Sequence, residues 1–297
     1  MLKAKTPSRP DWSMLRQEGL TLTTFHVGSL QSLSVLKDWV GFFGDSIRKV
    51  RVVTCTSIPG CFSREQFIKE FPGGDLIEME SGGRVPAEMN TPGVATAILG
   101  APTTFVAIVK LDTLPYRDSR HCRWLDDAVR TADLHRVWAI TAFASHRCRN
   151  LSQTFSLTQS FSENFSIVSR AAWRELIDWQ QPGLLPTLLQ PTTDTKNRFA
   201  LEAAIENGIN KRDWWNLRLV DSREFSIFHI NQWEQNLFEI RRRYIARQGV
   251  EKFLNGPGPT RKPVWMYPEW IRMYGSKPPS LLRRIRIAAG RWRQKIQ

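Results

Sequence analysis

The chain has 297 residues, 41% of them hydrophobic, which is ordinary for a folded soluble protein and long enough for one large domain with a substantial core. Its net charge of +14 is uneven: residues 241–297 hold 15 Lys and Arg against two acids, a net +13, while 27 bases and 26 acids elsewhere leave +1. That asymmetry argues against a uniformly basic nucleic-acid binder and for a nearly neutral body that docks on something anionic through one end.

No secretory signal is expected, since Met1 to Asp11 contains no apolar stretch. The longest uncharged run, Met89 to Val109, is divided by Pro92, Gly93, Gly100 and Pro102, so it reads as helix, turn and strand and no membrane span is expected. Cys55, Cys61, Cys122 and Cys148 show neither CxxC nor zinc-ligand spacing, which points to reduced thiols in a cytoplasmic protein.

Leu20 to Val27 is predicted as a first strand, and Leu30 to Phe43 as a helix because Leu33, Leu36, Val40 and Phe43 recur at helical spacing. Lys49 to Thr56 reads as a second strand. Ser63 to Phe71 reads as a short helix with Ser63 as its N-cap and Glu65 in its first turn, closed by Pro72 and two glycines. Asp75 to Met79 is a third strand, Gly82 to Arg84 a turn, and Thr91 to Leu99 a helix with Pro92 in its first turn. The apolar, β-branched run from Thr103 to Leu111 predicts a buried strand that delivers Asp112 at its end. A helix from Trp124 to Leu134 and a strand from Val137 to Phe143 follow. This alternation predicts an α/β fold with a mainly parallel sheet flanked by helices. Ligands of such sheets bind at the carboxyl ends of the strands, so Asp112 stands where a nucleotide phosphate or its metal ion would sit.

The run from Val85 through Asn90 and Gly93 to Ala97, then a strand, then Lys110-Leu111-Asp112-Thr113, resembles the nucleotide-sugar half of GT-A glycosyltransferases of the family 2-like bacterial type. Ser162 to Arg170, Phe199 to Ala204 and Phe225 to Trp233 follow in an order similar to that of bacterial members, and the resemblance covers roughly residues 20–245. It implies a Rossmann-type GT-A domain over residues 20–250, with 1–19 an N-terminal arm and 251–297 a linker and basic tail. It implies a transferase that moves a sugar, hexosyltransferase-like, from a nucleotide-sugar donor to a glycan or lipid-linked acceptor in polysaccharide biosynthesis. Leu114 occupies the place of the second aspartate of the family's Asp-x-Asp motif, so one carboxylate, Asp112, is left to hold a divalent cation, Mn²⁺ or Mg²⁺, with His229 as a second ligand. Thr24, His26, Thr54, Asn90, Lys110, Asp112 and Arg117 are the candidate donor contacts, Lys110 and Arg117 being the basic substitutes for a cation. Glu202, on a predicted helix from Asn197 to Asn207, is the candidate general base, with Glu163 its competitor. Strand-forming preference accounts for the threonines equally well, and a core histidine at position 229 would look the same.

Beyond a linker at residues 255–263, Ser280 to Ile296 reads as a helix whose Leu281, Leu282, Ile285, Ala288, Ala289, Trp292 and Ile296 share an arc of about 120°. Arginines and a lysine fill the rest of its circumference. This is the pattern of a helix lying on an anionic membrane, so a peripheral place on the inner membrane face is expected, with no nucleic-acid partner. The reading from another class is a non-catalytic α/β protein that docks on membrane or nucleic acid through the same tail.

Overall fold

The computed structural model describes residues 8–55, 60–81, 86–118, 123–142, 148–188, 200–222, 224–229 and 237–247. In chain order the elements are α1 (Ser13–Glu18), β1 (Leu20–Phe25), α2 (Leu33–Phe43), β2 (Ile47–Thr54), α3 (Arg64–Glu70), β3 (Asp75–Glu78), α4 (Pro86–Leu99), β4 (Phe105–Val109) and β5 (Thr113–Arg117). They continue with α5 (Trp124–Leu134), β6 (Ala139–Thr141), β7 (Cys148–Asn150), β8 (Phe155–Thr158), β9 (Phe165–Ser169), α6 (Arg170–Gln180), α7 (Leu184–Leu188), α8 (Ala200–Asn210), β10 (Asn216–Leu219), β11 (Phe225–His229) and α9 (Leu237–Ile245).

The predicted α/β architecture is present, and one sheet carries it, with strand order β3-β2-β1-β4-β9-β6-β10-β8-β7. β3, β2, β1 and β4 run parallel as expected. β9 then enters antiparallel between β4 and β6, which makes the sheet mixed. Because side chains alternate across a strand, β4 feeds both faces: Phe105, Ala107 and Val109 belong to one apolar cluster, Val106 and Ile108 to the other. The first cluster takes in α2, α5 and α9, the second α4, α6 and α8. Burying the larger of these side chains contributes about 1.5–3 kcal/mol each, which is why both faces must be covered.

Two features depart from the expected layout. Trp12, wholly buried, packs its ring 4.9 Å from that of Phe105 and donates its indole N–H to the Val137 carbonyl at 3.0 Å, so residues assigned to an arm form part of the core. α4 starts at Pro86 rather than Thr91, which places Pro92 inside the helix, where it forgoes one backbone hydrogen bond. The N-cap of α3 is Ser63 with Glu65 in the first turn, as predicted, and Gln66 completes a reciprocal capping box. The predicted turn at Gly82 to Arg84, and Thr56, Cys122 and Phe143, lie outside the described residues.

The residues after Asp112 form a strand not assigned from the sequence. β5 pairs antiparallel with β11 as a separate two-stranded ribbon, in a register that sets His229 opposite Thr113. The β4–β5 turn is closed by the Thr113 N–H donating to the Lys110 carbonyl at 3.1 Å. Trp39 of α2 donates its indole N–H to the Thr113 carbonyl at 3.0 Å, and so pins the turn to the core.

Candidate active site

Asp112 lies in the β4–β5 turn, at the carboxyl ends of β1 and β4. The ribbon register brings His229 beside it: Nε2 lies 3.3 Å from Asp112 Oδ2. Asp112 Oδ1 is buried and has no hydrogen-bond partner. Burial disfavours the charge of Asp112, but the hydrogen bond and charge of His229, helped by Lys110, outweigh it and hold the carboxyl below its usual range. Among the described residues no group of three His, Cys, Asp or Glu gathers as a metal cluster. Asp112 and His229 form a pair, which suits an ion that takes one or two protein ligands and completes its shell with phosphate oxygens and water.

His26 follows β1 and is 4% exposed, with its ring stacked on Phe62 and Nε2 3.2 Å from Ser32 Oγ. A Cβ at Gly28 would stand 2.8 Å from the ring, so glycine lets the loop close over it. Burial lowers the His26 pKa to about 4, against the opposing effects of the Ser29 backbone and the Asp112 charge, so the ring is neutral near pH 7. The influence of Asp112 places it within electrostatic reach of the site.

The second cluster surrounds Glu163, which is 1% exposed. Asn90 of α4 donates to its Oε2 at 3.2 Å, and Lys110 Nζ lies 4.0 Å from the same oxygen. Its Oε1 has no partner. Glu202 of α8 accepts the backbone N–H of Glu163 at 2.8 Å. Thus Asn90, Lys110, Glu163 and Glu202, separate in the sequence, meet in space, and Lys110 links them to Asp112, whose carboxyl responds to its charge.

Burial, reinforced by the charge of Glu202 and only partly offset by Lys110 and Asn90, raises the Glu163 pKa to about 8. The folded protein therefore keeps a proton that the unfolded chain releases near pH 4.5, so this group costs stability progressively as pH rises between those values. Melting temperatures taken across about pH 5 to 9 should fall more steeply for the wild type than for Glu163→Gln, which cannot titrate. Equal slopes would mean that Glu163 is already ionised.

Other candidates are placed elsewhere. Thr24 and Thr54 are fully buried, with their hydroxyls engaged by the Phe25 carbonyl at 3.4 Å and Cys61 Sγ at 3.2 Å respectively. Arg117 lies at the far end of β5, its guanidinium beside Gly44 at the close of α2, and an extended strand carries it on the order of 15 Å from Asp112. Gly93 of α4 faces the Phe25 ring, which a Cβ there would meet at 2.1 Å, so glycine sets the approach of α4 to β1. Of the tryptophans whose rings the sequence offers as platforms for sugar faces, Trp214 stacks on Trp138 at 4.5 Å, whereas Trp233, which fits a core stripe equally well, Trp265 and Trp270 lie outside the described residues. Sequence reasoning missed the ribbon, the indole of Trp39 and the contacts of Glu206, for which helical spacing from Glu202 was the available signal.

No family model and no curated protein matches the chain. Among solved structures it is similar to a mannosyltransferase from Pyrobaculum calidifontis in complex with GDP-Man and Mn²⁺, at 15% identity over 81% of this chain and 66% of that one, TM-score 0.43. It is similar to S. aureus TarS at 14% identity over 63% of this chain and 55% of that one, TM-score 0.40. A mannose-1-phosphate geranyltransferase from Thermus thermophilus shares 12% identity over 74% of this chain and 79% of its own, TM-score 0.44. The chain spans less than two thirds of the length of the first two.

Proposed function

We propose that the protein transfers a sugar from a nucleotide-sugar donor to a glycan or lipid-linked acceptor at the groups gathered around Asp112 and Glu163. The observation that carries this reading is their joint arrangement at the carboxyl ends of β1 and β4. A partly buried, His229-paired carboxylate with one unpartnered oxygen stands next to Lys110, and Lys110 stands next to a carboxyl group kept neutral and a second carboxylate.

Departure of a nucleoside diphosphate leaves negative charge that needs fixed positive charge close by. Asp112, through Oδ1, and His229 would hold a divalent cation, Mn²⁺ or Mg²⁺, which supplies that charge when bound. Lys110 adds its own cation beside it. Glu202, with Oε1 engaged by the Glu163 amide, is held in orientation to take the proton of the attacking acceptor hydroxyl. Glu163, protonated below about pH 8, is not available there to take that proton. His26, after β1, and Asn90, on α4, remain candidate donor contacts, whereas the buried hydroxyls of Thr24 and Thr54 serve the packing of their strands.

Thermal-shift screening against UDP, GDP, CMP and dTDP sugars, with and without Mn²⁺, tests this reading. Stabilisation by one nucleotide class, strengthened by Mn²⁺, is expected. Stabilisation by none of them would leave a non-catalytic α/β binding protein as the better account.

The tail, residues 251–297, lies outside the described residues. Among those described, no helix is long and apolar enough to cross a membrane. The apolar stripe and basic flanks of residues 280–296 support peripheral attachment to the inner membrane face. Truncation after Ser276 should abolish co-sedimentation with anionic vesicles while sparing donor binding, and salt should weaken binding of the full chain. Pelleting of the truncated protein with those vesicles would place the contact elsewhere.

A further inference from the structure

Residues 159–164 leave β8 and cross the sheet, over β10 and β6, to enter β9. A connection across a buried face must find partners for its backbone groups, and here they are found alternately on two sides. The carbonyl of Ser160 accepts from Asn216 Nδ2 at 2.8 Å, that of Ser162 from Ser166 Oγ at 2.7 Å, and that of Asn164 from the Lys110 amide at 3.1 Å. These three donors belong to the sheet or its strand ends. The amides of Phe161 and Glu163 donate the other way, to Glu206 Oε1 at 3.0 Å and Glu202 Oε1 at 2.8 Å. Both acceptors stand on α8, one turn apart.

The alternation has period two between a bend at Gln159 and a turn at Glu163 and Asn164, and the helix is built to meet it. The apolar residues Leu201, Ile205 and Ile209 of α8 pack in the cluster shared with Leu176 of α6. Gly208 admits that approach, since a Cβ there would stand 2.9 Å from Leu176 Cδ1. With α8 seated on α6, the spacing of Glu202 and Glu206 at i and i+4 matches the two amides, which are two residues apart: about 6 Å on either element.

We propose that residues 160–164 form a preformed mount for Glu163, and that Glu206 is its positioning residue, setting through the Phe161 amide where the Glu163 carboxyl stands between Asn90 and Lys110. The inference rests on the reading of Glu163 as part of a sugar-transfer site. Glu163 is faced by Lys110 from the end of β4, Asn90 from α4 and Glu202 from α8, so a loosened mount changes its distance to all three. A group misplaced by an ångström can cost about 10²-fold in rate.

Three variants test the proposal: Glu206→Ala, which removes the acceptor; Glu206→Gln, which keeps an oxygen there; and Asn216→Ala, which cuts the mount from the sheet side. Amide hydrogen exchange at Phe161 and Glu163, and the ¹³C-detected titration of Glu163 assigned with Glu163→Gln, report the mount without any turnover. Both amides should lose protection in Glu206→Ala, with the Glu163 titration shifted, and both properties should return in Glu206→Gln. Where the wild type turns over a nucleotide sugar, kcat should fall about 10-fold or more in Glu206→Ala with donor KM little changed. A wild type without turnover defeats the functional reading and leaves the exchange result to decide the mount. Unchanged protection and titration in Glu206→Ala overturn it. Should that variant not fold, Asn216→Ala decides: raised exchange at the two amides upholds the mount, and wild-type exchange overturns it.

Discussion

Asp112→Asn is expected to lower sugar transfer by about 10²–10³-fold or more, with little change in melting temperature. The substitution keeps the shape of the side chain and a hydrogen-bonding oxygen or nitrogen for His229, 3.3 Å away, so the turn pinned by Trp39 has no reason to move. It removes the negative charge that, with the unpartnered Oδ1, makes this turn a place for a cation on the donor diphosphate. The loss should therefore appear in turnover and in the Mn²⁺ dependence of donor binding together. Purified Asp112→Asn protein with wild-type turnover of its nucleotide sugar would falsify the assignment of Asp112 to the site.

The second large effect is expected at Glu202. Glu202→Gln should reduce kcat by at least about 10²-fold while leaving donor KM nearly unchanged, because loss of a general base acts on the chemical step. Glutamine retains an oxygen for the Glu163 amide, so the 2.8 Å contact is preserved and the loss is not a loss of geometry. Glu163→Gln should be milder at neutral pH, since a glutamine closely copies a carboxyl group that is protonated up to about pH 8. Steady-state kinetics of the two variants side by side separate the roles. If Glu163→Gln carries the loss and Glu202→Gln does not, Glu163 is the base and Glu202 only holds its backbone.

Much of the layout was legible in the sequence because its signals are local. α5 runs from Trp124 to Leu134 as its apolar spacing predicts, α2 closes at Phe43, and the apolar run before Asp112 forms β4 in the middle of the sheet. Periodicity at 3.6 or two residues reports which face of an element is buried and needs no knowledge of the rest of the chain. Six of the candidate residues, Asp112, His229, Glu163, Glu202, Asn90 and Lys110, were nominated from short motifs, and the fold brings them into two adjoining clusters.

What the sequence could not determine was how strands and side chains distant along the chain are paired. Asp112 meets His229 across 117 positions because β5 pairs with β11, and a run such as Thr113-Leu114-Pro115-Tyr116-Arg117 shows neither that partner nor its register. The same pairing carries Arg117, a candidate donor contact, away from the β4–β5 turn along an extended strand. The antiparallel entry of β9 between β4 and β6 sends residues 159–164 across the sheet face, and that crossing buries Glu163 beside Asn90 and Lys110. The sequence by itself therefore determined most elements up to β6, the α/β class and the chemical types of the candidate residues. Burial, which keeps the Glu163 carboxyl protonated to about pH 8, depends on desolvation by atoms remote in the chain, and only the tertiary structure decides it.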